Sequence, residues 1–240
     1  ENEDAVYPHV LSGTSMIVDQ FSCAMSDGAT TSSFSKLWAN LLVKESSLSH
    51  NLNQDFNKAV NSARLSWKAA LPEKDLPWPV AIKIRQGSFA TLLWFHIWQK
   101  NGIHPMLAAP KEHGWVASAV GDTCLFHVTK GRFSMSFPMT KAMQFSNTTD
   151  LISSNLNTYR PHIAHSSTQG SWQKGDHFLI ASDALAHWMI KNIEANVMTW
   201  PVIGENLTSQ VRYQSWIRSL RRQGLIKNDD TSLINITVDD

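Results

Sequence analysis

Apolar residues along this chain follow two rhythms, and the change from one to the other marks its elements. Within residues 16–26, Phe21, Cys23 and Met25 alternate with polar or small neighbours, which predicts a strand that stops at Asp27-Gly28. After a serine-rich stretch, Phe34, Leu37, Trp38, Leu41 and Leu42 recur at helical spacing. Phe56, Val60, Ala63 and Trp67 form a second stripe within a predicted helix over residues 53–70, ended by Leu71-Pro72. Residues 76–88 are interrupted by prolines and give no clear element. From Ser88 the run FATLLWFHIWQKNG reads as a buried strand, followed by WVASAV, TCLFHVTK and RFSMSFPM, with breaks at Gly121-Asp122 and Lys130-Gly131. This spacing predicts an antiparallel meander.

Residues 140–176 are polar and without clear periodicity, a candidate lid or substrate-contact region. HFLIAS is a short strand leading into the helix ALAHWMIKNIEAN; a last helix covers about 207–223, and TSLINITV closes the chain as a strand. Strands come in runs and helices in pairs, so the expected class is α+β with antiparallel sheets. No linker-like segment or repeat of solenoid length is present, so one domain over residues 1–240 is expected.

Composition narrows the functional classes. A formal net charge of +1 provides no field to recruit nucleic acid or an anionic membrane. The 10 tryptophans read as core and boundary side chains rather than a platform for stacking bases. Cys23 and Cys124 sit in apolar runs and read as buried free thiols, which fits a reducing cytoplasm. No signal peptide and no long apolar run is seen, and the start at Glu1 reads as a trimmed terminus.

The acidic residues carry the chemistry. Only 20 are present, yet several fall where apolar strands stop. Asp27 follows FSCAMS, Asp183 follows FLIAS, Asp122 follows Gly121, Asp229-Asp230 precede the last strand, and Glu3-Asp4 precede the first. Hard divalent cations take oxygen ligands, and a small neighbour such as Gly28 lets a backbone carbonyl approach an ion. Taken singly, Asp-Gly, Gly-Asp and Asp-Asp are ordinary turn sequences. Their spacing alone does not make them a cluster.

Their order along the chain does more. Asn2-Glu3-Asp4-Ala5, Ser26-Asp27-Gly28-Ala29, Gly121-Asp122-Thr123, Ala181-Ser182-Asp183-Ala184-Leu185 and Asp229-Asp230-Thr231-Ser232-Leu233, taken together, resemble the metal-dependent protein phosphatases of type 2C, the PPM family. The bacterial branch is the nearer match, through Ser33-Phe34-Ser35 and Trp38-Ala39 after the Asp-Gly segment. The resemblance implies a four-layer αββα sandwich, two antiparallel sheets flanked by helix pairs. It implies hydrolysis of phosphoserine and phosphothreonine by a hydroxide bridging two Mg²⁺ or Mn²⁺ ions, with a third, weaker ion in some members.

By position, Glu3 matches a ligand of one ion, Asp4 a residue that orients water, and Asp27 the carboxylate that bridges both ions. The Gly28 carbonyl completes one coordination sphere. Asp183 and Asp229 match the ligands of the other ion, with Asp230 in place of Asp229 if the register shifts by one. Asp122, helped by Asp183, matches the third position. The implied partners are a phosphorylated protein and a cognate serine/threonine kinase or its targets, in cytoplasmic signalling, without nucleic acid or membrane. The chain departs from the pattern where many relatives carry a histidine after Asp-Gly: Ala29-Thr30-Thr31 stand there, and Asp183 is followed by alanine. That departure raises an alternative, a catalytically weak or inactive phosphatase-like module that binds and regulates a partner.

Other signals read as structural. His162 and His165 lack a third ligand nearby, and His187 reads as a helix-packing residue. Arg218, Arg221, Arg222 and Lys227 read as a solvated helix face.

Overall fold

The structure is a computed structural model that describes residues 2–8, 20–30, 32, 34–48, 52–71, 77–99, 113–145, 149–155 and 164–239. Residues 16–19 of the first strand pattern, Thr31, Ser33, Pro72, His162 and the parts 146–148 and 156–163 of the aperiodic stretch lie outside the described residues.

Two antiparallel sheets carry the architecture. The first has the order β1 (Ala5–Tyr7), β2 (Gln20–Ser26), β4 (Leu92–Gln99), β5 (His113–Val120) and β9 (Ser166–Gly170). The second has the order β11 (Leu233–Thr237), β10 (His177–Ala181), β6 (Cys124–Thr129) and β7 (Arg132–Phe137). A two-stranded ribbon pairs β3 (Phe89–Ala90) with β8 (Ile152–Ser153).

Strand alternation builds the layers. Along β4, Leu92, Trp94 and Trp98 turn outward to the helices α1 (Ser35–Ser47) and α2 (Leu52–Ala70), meeting Trp38, Leu42, Val60 and Trp67. Leu93, Phe95 and Ile97 turn the other way and pack between the sheets against Leu125, Phe178 and Ile180. On the far side, Phe126, Leu179 and Ala181 meet α4 (Asp183–Glu194), α5 (Trp200–Asn206) and α6 (Gln210–Arg222) through Leu185, Met189, Ile203 and Trp216. Apolar contact on both faces of each sheet gives the four layers. Each fully buried aromatic or aliphatic side chain contributes about 1.5–3 kcal/mol. Most tryptophans serve this core, though Trp78 stays 77% exposed. Cys23 and Cys124 are buried free thiols.

The expected meander is a correction. β4 pairs with β5 and β6 pairs with β7, but β5 and β6 lie in different sheets. Both strands are apolar on both faces, so their patterning carries no information about which sheet each joins. Gly121 makes the crossing at φ +103°, and a Cβ there would come within 2.6 Å of the Thr91 side chain. By contrast, Lys130 and Gly131 both have positive φ and close a tight β6–β7 hairpin.

Elements that bury little escaped the periodicity. α3 (Trp78–Gln86) buries no residue, and α5 buries Ile203 alone. Each starts Trp-Pro-Val, with proline in the first turn, where its missing N–H costs nothing. β9 is a polar strand (SSTQG) recruited to the edge beside β5.

Candidate metal centre

Strand register brings the acidic residues together. β1 pairs with β2 with Ala5 opposite Ser26, so one step further Asp4 stands opposite Asp27. The β2–β4 ladder continues through Asp27 and Thr91: the Asp27 N–H donates to Thr91 Oγ1 at 2.9 Å, and the Thr91 N–H donates to the Asp27 carbonyl at 2.9 Å. In the second sheet Ala181 lies between Cys124 and Leu233, which sets Asp183 beside Asp122 and near the 229–231 loop. Gly121-Asp122 joins the two sheets, so both present acidic strand ends on one side of the sandwich. Below them Thr91 Oγ1 and Thr123 Oγ1 are hydrogen-bonded at 2.8 Å.

These ends surround a pocket of about 140 Å³ lined by Glu3, Asp27, Gly28, Asp122, Asp183, Asp229 and Asp230, with Thr30, Thr91 and Leu151. All the acidic residues singled out from the sequence line it except Asp4, which is buried behind them. Glu3 is fixed from two sides. Ser35 Oγ donates to its Oε1 at 2.6 Å, and its own N–H donates to Asp230 Oδ2 at 2.6 Å. Thr149 Oγ1 donates to Asp122 Oδ2 at 2.9 Å. Glu3 Oε2 is buried without a hydrogen-bond partner, and the buried carboxylate oxygens of Asp4 have only the Ser182 and Ser232 hydroxyls near them, outside good hydrogen-bond geometry.

Such crowding resists ionisation. Burial, and then the charges of Asp4, Asp183, Asp122 and Asp229, push the Asp27 carboxyl far above the usual carboxylate range. Asp4 is raised by burial and by Asp230 and Asp183, with the nearby Ser232 and Ser182 hydroxyls pulling it back. Asp183 is raised to about 6 by burial, Asp122 and Asp229. Asp122 is raised as well, first by burial. Among the described residues no lysine or arginine lines the pocket; Lys227 acts on Asp122 and Asp183 from outside it.

The donors suit hard cations. They are oxygens throughout, several have no protein partner, and added positive charge would relieve their mutual repulsion. Gly28 belongs to the same design. A Cβ there would sit 3.0 Å from Ser35 and 3.1 Å from the Glu3 carbonyl, so only glycine leaves this wall its shape. Among the described residues, no three His, Cys, Asp or Glu side chains already close around a single point.

No protein-family model matches the sequence, and no curated protein matches it. Solved structures do. The serine/threonine phosphatase PstP/Ppp of Mycobacterium tuberculosis aligns over 100% of this chain and 93% of its own, at TM-score 0.61 and 12% identity. A Staphylococcus aureus serine/threonine phosphatase aligns over 100% and 90%, at TM-score 0.61 and 11% identity. The PPM phosphatase MsPP of Mycobacterium smegmatis, solved with cacodylate, aligns over 99% and 92%, at TM-score 0.51 and 14% identity. A PstP catalytic domain was solved with 2 manganese ions.

The chain has the PPM phosphatase fold. In this PPM-type fold the acidic pocket lies at the strand ends of both sheets.

Thr91 and Thr149, which shape the pocket, gave no signal in the sequence, and Ser35, Ser182 and Ser232 stood inside the quoted motifs with no role assigned to them. Their role appears only once they stand beside a carboxylate. The basic run is corrected in part. Arg218 and Arg222 are exposed, but the Arg221 guanidinium donates to the Asp229 carbonyl and, at 3.1 Å, to Thr231 Oγ1. It holds the loop that carries Asp229. His187 packs on Phe145 at 5.2 Å, and His165 stacks on Phe56 at 4.3 Å, as structural histidines do.

Proposed function

We propose that this protein is a single-domain, metal-dependent phosphatase acting on phosphoserine or phosphothreonine in proteins. The observation that carries the reading is the convergence of Glu3, Asp27, Asp122, Asp183 and Asp229, from the ends of both sheets, on one pocket with no basic side chain among the described residues that line it. The fold shared with serine/threonine phosphatases supports it.

Glu3, Asp27 and the Gly28 carbonyl would hold one Mg²⁺ or Mn²⁺ ion, and Asp27, Asp183 and Asp229 the second. Asp122 and Asp183 would provide a third, weaker position. Asp229 is preferred to Asp230 because its charge acts on Asp27, Asp122 and Asp183, whereas Asp230 accepts the Glu3 N–H and steadies that ligand. Bound cations supply a nucleophile at neutral pH and offset charge on the transferring phosphoryl oxygens. Asp4, one layer behind the lining and beside the Ser182 and Ser232 hydroxyls, would orient water on the pocket floor. Ser35 and Thr149 keep Glu3 and Asp122 aimed inward.

No helix of the described residues is long and apolar enough to cross a membrane, and the proposed setting is cytoplasmic signalling opposite a serine/threonine kinase. The test is hydrolysis of para-nitrophenyl phosphate with Mn²⁺. Activity should vanish with EDTA and in Asp27→Asn; turnover that persists in both overturns the mechanism. The regulatory-module reading is favoured by one observation: Ala29 and Thr30, not a proton-donating side chain, line the pocket after Asp27-Gly28. Calorimetry separates the two, since tight Mn²⁺ binding without turnover supports the module.

A further inference from the structure

A second, larger hollow of about 420 Å³ adjoins the acidic pocket. The chain crosses between them twice. Gly121 lines the second hollow while Asp122 lines the first, and Thr149-Asp150 line the second while Leu151 lines the first. Thr149 donates its hydroxyl to Asp122, so the shared wall is anchored to the metal centre. A residue bound in the acidic pocket therefore has its chain neighbours within reach of this hollow, since an extended peptide advances about 3.3 Å per residue.

The chemistry of the hollow is asymmetric. Pro138 and Met139 give it apolar walls, and His165 is held by stacking on Phe56. Among the described residues Asp150 is the one Asp, Glu, Lys or Arg in its lining, and no described residue partners that exposed carboxylate. A hollow of mixed lining, apolar along Val120, Pro138 and Met139, polar along Gln144, Thr149 and Ser166, and carrying one carboxylate, suits a long side chain with an apolar stem and a cationic tip. The size of the hollow lies within the range of small-ligand sites.

We propose that this hollow is a specificity subsite for an arginine or lysine side chain close in sequence to the phosphorylated residue, read by Asp150. The subsite rests on the phosphatase reading of the neighbouring pocket, and it selects basic phosphopeptides over neutral or acidic ones. A guanidinium pairs with Asp150 while its methylenes lie along Met139 and Pro138.

The test uses fluorescein-labelled phosphothreonine peptides with one arginine placed at each position from −3 to +3, each matched to alanine and glutamate versions. Binding is followed by fluorescence anisotropy with Mn²⁺, and turnover by phosphate release. At one or more positions arginine should bind about fivefold tighter than alanine, and glutamate should bind more weakly. The arginine preference should fall to about one in Asp150→Asn and invert toward glutamate in Asp150→Lys. High salt should erode it. Because each readout is a ratio on one protein sample, partial loss of folded variant does not obscure it. Equal binding of arginine and alanine peptides at every position overturns the subsite, as does a preference that survives Asp150→Asn. A binding preference without Mn²⁺-dependent turnover of any substrate supports the subsite and counts against the phosphatase reading instead.

Discussion

Each end of β10 is flanked by an aspartate, Asp176 buried and Asp183 half-buried, and the two are equipped in opposite ways. Asp176, just before the strand, is fully served: the Gln173 N–H donates to Oδ2 at 2.9 Å, His127 Nε2 lies 2.8 Å from the same oxygen, and the Thr129 hydroxyl donates to Oδ1. Burial alone would raise this carboxyl, yet the bonds from Thr129, Gln173 and His127 win and hold it below the usual carboxylate range. Asp183, just after the strand, meets other carboxylates instead, and burial with Asp122 and Asp229 pushes it up to about 6. One strand thus separates a carboxylate that completes the fold from one that strains it. The lesson concerns partners rather than burial. A buried acid with donors on both oxygens is structural, and a buried acid among acids is a site for positive charge.

Replacing Asp27 should break the comparison most severely. Asp27→Asn should lower Mn²⁺-dependent hydrolysis by roughly a thousandfold or more, because it removes the carboxylate assigned to both ions. Its metal-free form should melt no lower than wild type, since repulsion is relieved. Calorimetric melting without metal checks this, and a large loss of stability would make Asp27 a structural acid like Asp176.

Mn²⁺ at about 100 times its dissociation constant should stabilise the wild type by about 2.7 kcal/mol, or roughly 5–10 °C in Tm. Asp176→Asn should keep that metal-induced rise, and Asp183→Asn should lose most of it. An equal rise in all three proteins would dissolve the distinction between the two ends of the strand.

A subtler change should sharpen it. Ser35→Ala removes the hydroxyl that holds Glu3 and should weaken the Mn²⁺ dependence of activity by about tenfold, with kcat at saturating Mn²⁺ little changed. Titration of activity against Mn²⁺ reads this directly.

The smallest effect on catalysis belongs to the other end. Asp176→Asn should cost roughly 1–3 kcal/mol of stability by denaturant unfolding, while the folded fraction keeps its activity. Its pH dependence has a fixed sign. A folded pKa below the unfolded value gives stability that is present above about pH 4 and lost as pH falls through the folded pKa. The variant should therefore show a flatter stability profile on the acid side of pH 4 than the wild type.

What was legible follows from what is local. Leu93, Phe95 and Ile97 alternate with Leu92, Trp94 and Trp98 because both faces of β4 are covered, and Phe56, Val60, Ala63 and Trp67 repeat because α2 buries one stripe. α3 and β9 left no such trace, because α3 buries nothing and β9 is a polar edge. The sheet change at Gly121 was hidden for the opposite reason. β5 and β6 carry apolar residues on both faces, so neither declares its partner.

The acidic residues divide along the same line. That Asp27, Asp122 and Asp183 stand where strands stop is written in neighbouring residues, and so is the order of motifs on which the resemblance rests. That they share one pocket is not. Glu3 and Asp230 are 227 positions apart and are joined by a single hydrogen bond from backbone to carboxylate. Strand register and the stacking of two sheets set such distances, and both are properties of contacts between segments rather than of any segment. The sequence by itself determined the elements that bury a face and the chemistry at their ends; only the tertiary structure decided that the charges meet, and which hydroxyls hold them there.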